Sequence, residues 1–147
     1  MAKYEILDGQ GAVLTTIVAD QDFVLTHFPG RYRRVPETEQ DRVAQIDALV
    51  LEYDGLVQSH LDTVARSWGY GEKTRPDASA ILHAITYAEE PAVPKFQAEG
   101  RALRAWRSSV WAACYAMLDE VKSGLRAIPT AQEVIAVLPA PPAREGA

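Results

Sequence analysis

Few side chains in this sequence have the means for catalysis or metal binding. They are His27, His60 and His83, the single cysteine Cys114, and the adjacent carboxylates Glu89 and Glu90. A helical zinc pair needs two histidines three or four residues apart, so that both reach one ion from one face. None of the three histidines has such a neighbour. A reactive cysteine needs nearby positive charge and access to solvent. Cys114 stands instead among Trp111, Met117 and Leu118, the setting of a small buried hydrophobe. Paired carboxylates do acid–base work only when they converge in a cleft. Glu89 and Glu90 are neighbours at a predicted helix end, where they diverge. Ser108-Ser109 lacks the flanking glycines of a nucleophile elbow. Gly9 and Gly11 are followed by a predicted strand, and a phosphate-binding loop requires a helix start there. The expectation is therefore no catalytic residue, no metal ligand and no cofactor.

What remains is chemistry of recognition. Arg101, Arg104 and Arg107 step by three, with Trp106 and Trp111 close by. Arginine and tryptophan are the side chains that interface hot spots favour: one carries a rigid donor fork, the other a large apolar area. Arg104, Trp106, Arg107 and Trp111 are accordingly read as interface residues. The same arginine row also fits a solvated helix face or a nucleic-acid contact. A second basic cluster, Arg31, Arg33 and Arg34, is read as a contact surface for a neighbour.

These residues need elements to position them. Residues 3–18 read as a β-hairpin, because Tyr4 and Ile6 alternate with Lys3 and Glu5 and the return run is β-branched. Asp20 is placed to cap a short helix that ends at Pro29-Gly30, and residues 31–35 read as a third strand. Val43, Ile46, Val50, Tyr53, Val57, Leu61, Val64 and Trp68 then recur at steps of three and four. That stripe predicts one long helix over residues 39–68, opened by Thr38 and closed at Gly69. It either packs within the chain or serves another subunit, so Val50, Tyr53, Val57 and Leu61 join the candidate interface. Asp77 is placed to cap a helix over residues 78–89. A third helix spans residues 95–123 with a wide apolar arc, and Thr130 with Glu133 forms a capping box for a last helix, residues 131–137. The fold class is α+β and mostly α: a β module over residues 1–35, a helical region over 36–138, and a Pro-rich extended tail over 139–147.

Length and charge bound the rest. The chain has 147 residues, 48% hydrophobic and 24% charged, with a formal net charge of -5. One cysteine excludes an intrachain disulfide. No apolar run approaches the ~20 residues of a membrane span, and the first residues lack the basic and apolar parts of a signal peptide. A cytoplasmic product with no membrane partner is expected. Acidic balance opposes non-specific nucleic-acid binding, which neutralises many phosphates. The excess negatives concentrate in residues 36–75, where eight acidic side chains meet four basic ones.

Two stretches resemble a known group. Val18-Ala19-Asp20-Gln21-Asp22-Phe23 and His27-Phe28-Pro29-Gly30, following a hairpin, look like the N-terminal module of small tail proteins of bacteriophages and prophages. Tyr87-Ala88-Glu89-Glu90-Pro91, Phe96-Gln97-Ala98-Glu99-Gly100 and Ala105-Trp106-Arg107, closed by the Pro129-Thr130 helix, are similar to the helical C-terminal region of tail-fibre-associated and baseplate-proximal proteins. The likeness does not reach residues 36–75. It implies a non-catalytic virion structural or adaptor role at the tail fibre or baseplate. Its implied partners are other tail proteins and further copies of the chain, with a trimer suggested by the three-fold symmetry of fibres. The implied location is the host cytoplasm during assembly and then the virion tail. A fibre-assembly chaperone absent from the finished particle, and a small regulatory DNA-binding protein, are the alternative readings.

Overall fold

The computed structural model describes residues 1–145. The chain is α+β and mostly α, with a small antiparallel sheet followed by helices. It divides into two compact units, Met1–Gln45 and Ile46–Ala147.

In the first unit, β1 (Ala2–Leu7) is the central strand of three, flanked by β2 (Val13–Ala19) and β3 (Tyr32–Arg34). Both pairings are antiparallel, with Tyr4 opposite Ile17 on one side and Arg34 on the other. The hairpin turn is held by Asp8, whose carboxylate accepts from the Gln10 and Ala12 amides at 2.8 and 2.9 Å. Those amides, Ala12 first, hold the Asp8 carboxyl below its usual range. Helix α1 (Gln21–His27) covers the sheet by burying Val24 against Tyr4 and Ala19. Tyr32 adds an edge-on ring contact to Tyr4 at 5.9 Å. Asp20 occupies the N-cap position as expected, but its side chain makes no capping bond. The helix opens instead on a backbone bond from Val24 N–H to the Asp20 carbonyl, 3.3 Å.

Helix α2 (Glu39–Ser67) starts in this unit. Thr38 and Asp41 satisfy each other's amides reciprocally at 3.1 Å, and Lys3 reaches Asp41 at 3.7 Å. That bridge ties the first turn of α2 to the sheet, and the boundary between the two units falls inside the helix, at Gln45/Ile46.

The second unit holds the remainder of α2 with α3 (Ala80–Ile85), a 3-10 turn (Thr86–Glu89), α4 (Pro94–Lys122) and α5 (Ala131–Val137). Helices α2 and α4 have 29 residues each, about 44 Å at 1.5 Å per residue. Gly69 and Gly124, at φ +95 and +79, follow their C-terminal ends, a conformation that L side chains resist. One core joins Val57, Leu61 and Ala65 of α2 to Ile81 and Ala84 of α3, Leu103, Trp106, Val110 and Met117 of α4, and Val134 of α5. Full burial of a side chain such as Leu61 or Leu103 stabilises by roughly 1.5–3 kcal/mol.

Two features fasten α3 into place. Asp62, on α2, is buried and accepts from Ser79 Oγ at 2.8 Å and from the Ile81 amide at 3.0 Å, while Gln58 Nε2 reaches its other oxygen at 3.3 Å. Ser79, not Asp77, is the N-cap, accepting from the Leu82 amide. The helix is correspondingly shorter than residues 78–89, with its end tightened into the 3-10 turn. Against α4, the backbone of Ala84 and Ala88 comes so near Gly100 that an added Cβ would lie 2.7 and 2.8 Å from their atoms.

The Pro-rich tail lacks regular structure, as expected, yet it is docked. Trp106 Nε1–H donates to the Pro139 carbonyl at 2.9 Å. Arg144 pairs with the buried Glu99 at 2.7 Å and lies 5.7 Å from the centre of the Trp68 ring. The tail through residue 145 thus belongs to the second unit, and Gly146 and Ala147 lie outside the described residues.

Candidate interface

The expected interface residues separate into three groups. Val57, Leu61 and Trp106 are corrections: Leu61 is wholly buried, Val57 retains 1% exposure and Trp106 5%, so all three serve the chain's own core. The stripe on α2 meets α4 and α3 over its C-terminal half, which explains the loss of Leu61 from the surface.

The arginines form a second group. Arg33 lies across the sheet from Glu5 and donates through Nε at 2.8 Å. Arg104 is exposed and paired with Glu89 at 2.8 Å, and Arg101 donates to the Ala88 carbonyl at 2.9 Å. These pairings consolidate local structure, and an exposed ion pair contributes only about 0–1 kcal/mol. Arg31 and Arg34 are exposed and make no side-chain hydrogen bond or ion pair among the described residues. Arg107 is half-buried, and its Nε has no partner among the described residues.

The third group converges. Val50, Tyr53 and Val57 of α2 and Trp111 of α4 line one cavity of about 100 Å³. Ile46 and Leu49 extend the α2 wall, Cys114, Met117 and Leu118 the α4 wall, and Ile128, Pro129 and Val134 close one end. The helical periodicity that builds the core produces this cavity too. Positions 46, 49, 50, 53 and 57 share a face of α2, and 111, 114, 118 and 121 share a face of α4. Tyr53 is fixed by its hydroxyl, which donates to the Pro129 carbonyl at 2.8 Å. The lining is almost wholly hydrocarbon, with Asp54 as its charged member. Tyr115 is 64% exposed and Asp54 is exposed, so the cavity opens to solvent along that rim.

Cys114 reports on this environment. Burial first, and the Asp54 carboxylate second, push its thiol pKa upward. That is the opposite of an activated nucleophile. Trp111 contributes a buried indole N–H with no acceptor among the described residues. A buried donor without a partner costs about 1–3 kcal/mol.

The histidines take structural places. His83 Nδ1 accepts from the Gly71 amide at 2.8 Å, His60 meets the Trp106 ring edge-on at 5.8 Å, and His27 stacks on Phe23 at 4.1 Å. Among the described residues no three His, Cys, Asp or Glu side chains gather as a metal-binding group, and no helix is long and apolar enough to cross a membrane. Asp62 and Gly100 are the functional positions for architecture that periodicity did not reveal. Asp62 and Arg66 stand at a helical pairing distance, four residues apart, but Arg66 bonds the Pro76 carbonyl at 3.0 Å and Asp62 turns inward.

No protein-family model matches this sequence, and no curated protein or solved structure matches it.

Proposed function

We propose that this chain is a non-catalytic adaptor of a bacteriophage or prophage tail, working through protein–protein contacts near the fibre attachment or the baseplate. The observation that carries the contact part is the cavity between α2 and α4. Its hydrocarbon walls meet solvent at Tyr115, and its volume of about 100 Å³ suits one apolar side chain. Interfaces concentrate their binding energy in such pockets, where a partner's anchor is fully desolvated.

The phage-tail part rests on the sequence resemblance. Its matching residues have architectural roles in this chain: Gly100 receives α3, Trp106 holds the tail, and Glu99 pairs with Arg144. A likeness carried by such positions speaks for shared architecture, which suits a structural protein. The acidic excess over residues 36–75 suits a partner with basic residues around its apolar anchor.

Mass spectrometry of purified particles from the phage or prophage that encodes the chain tests this reading. The expected result is the chain at fixed stoichiometry with the tail proteins. Its absence from particles, with binding to fibre protein during assembly, would support the chaperone reading instead.

A further inference from the structure

The two edges of the three-stranded sheet differ in a way that the fold alone does not require. An edge strand presents unpaired backbone N–H and C=O groups, and proteins guard such edges with charge, proline or brevity. The β3 edge has all three. It is three residues long, carries Arg33 and Arg34 with Arg31 just before, and is followed by Pro36. The β2 edge has none of these, its one irregularity being the register shift against β1 that leaves Leu14 without a partner between Thr15 and Val13. Val13-Leu14-Thr15-Thr16-Ile17-Val18-Ala19 contains no charged residue and no proline over seven residues. Among the described residues β2 pairs only with β1. Leu14 and Val18 are 65% and 64% exposed.

We propose that β2 pairs antiparallel with β2 of a second copy, joining two sheets into one across a two-fold axis. This rests on the sheet and is independent of the proposed tail role. The strand is its own complement. Centred on Thr16, the pairing places Thr16 opposite Thr16, Thr15 opposite Ile17 and Leu14, the residue left out of the β1 register, opposite Val18. This register spans Leu14 to Val18, short of the shifted Val13. It also keeps Leu14, Thr16 and Val18 on one face of the joined sheet, whereas a shift by one residue would put each copy's faces on opposite sides. Directly opposed apolar and β-branched pairs stabilise a sheet, and no like charges face each other. A strand bearing a lysine or glutamate at its centre would meet its own charge across the axis, so neutrality is what self-pairing requires. An isologous contact uses each β2 edge once and closes at two copies. The outcome is a dimer and not the trimer that the resemblance implies.

The test is sedimentation equilibrium on the full chain, with Thr16→Lys as the disrupting variant and Thr16→Cys, in a Cys114→Ser background, as the reporting one. The wild type is expected to dimerise. Thr16→Lys, on an exposed position, should keep the far-UV spectrum and raise the dissociation constant at least about tenfold by opposing two lysines. Thr16→Cys should yield a disulfide-linked dimer under mild oxidation, because centred partners are within disulfide reach. Thr63→Cys, an exposed position on α2, should not. A wild type that stays monomeric at millimolar concentration, a wild-type trimer, or a Thr16→Cys chain that does not cross-link would overturn the proposal. If Thr16→Lys loses its fold, the cross-linking result decides alone.

Discussion

Two glycines stand within the two long helices, Gly55 in α2 and Gly100 in α4, and replacing each by alanine should move stability in opposite directions. Alanine is favoured over glycine in a helix interior by about 1 kcal/mol. At Gly55 an added Cβ meets nothing within 4 Å, so the full gain is expected. At Gly100 the same Cβ would lie 2.7 Å from the Ala84 carbonyl oxygen, 2.8 Å from the Ala88 nitrogen and 3.1 Å from the Tyr87 carbonyl carbon. Comfortable separations for such atoms are about 3.5 Å, so the backbone at the end of α3 and in its 3-10 turn would have to retreat by more than half an ångström. It has no room to do so. Ala80, Ile81, Ala84 and Ala88 are fully buried, and the start of α3 is bonded to Asp62. Overpacking against rigid surroundings costs about 1–3 kcal/mol, and a backbone clash belongs at the upper end. Set against the propensity gain, Gly100→Ala should lose about 2 kcal/mol net. At about 3 °C per kcal/mol, it should lower the melting temperature by about 6 °C, while Gly55→Ala should raise it by about 3 °C. Thermal unfolding followed by circular dichroism reads both. If Gly100→Ala stabilises the chain as Gly55→Ala does, the close approach of α3 to α4 is wrong.

Three further perturbations have defined outcomes. Asp62→Ala orphans the buried Ile81 amide and removes the acceptor of Ser79, and should cost about 3 kcal/mol in urea denaturation, with Asp62→Asn costing less because an acceptor oxygen remains. Trp106→Phe keeps the ring in the core but deletes the bond to Pro139, and should speed proteolysis of the tail after residue 138 while costing about 1 kcal/mol of stability. Asp8, Asp41 and Glu72 have carboxyl pKa values lowered in the fold, by backbone amides at Asp8 and Asp41 and by Arg75 at Glu72. A depressed folded pKa contributes stability that is present above the unfolded value and lost as pH falls through the folded one. Unfolding free energy should therefore be flat with respect to these groups above about pH 5 and decline below about pH 4, with Asp8→Asn reducing that acid slope.

Much of the fold was legible because local chemistry marks its ends. The Thr130–Glu133 capping box and Gly69 and Gly124 at helix ends act through neighbouring residues. What escaped depends on distant partners. Asp77 and Ser79 are both good caps by type, and only Asp62, 17 residues from Ser79, decides between them. A Pro-rich tail reads as free until Glu99 and Trp68 supply the site for Arg144. The candidate cavity was half legible. The heptad-like spacing identified Val50, Tyr53 and Val57, but the same spacing runs on through Leu61, and periodicity cannot say where along a stripe α3 and α4 complete the covering. Trp106 and Trp111 look alike in sequence. One faces the core and one lines the cavity because they differ by five positions, about 500° of helical rotation at 100° per residue.

The proposed adaptor role requires that the α2–α4 cavity receive a partner in the assembled tail. Cys114 is the chain's only cysteine and lines that cavity, so its alkylation rate reads the cavity directly. The measurement is the rate of modification by a maleimide at pH 8, in the free chain and in purified tail particles. Filling of the cavity predicts a rate at least about tenfold slower in the particle. An unchanged rate, or particles that do not contain the chain, would contradict it.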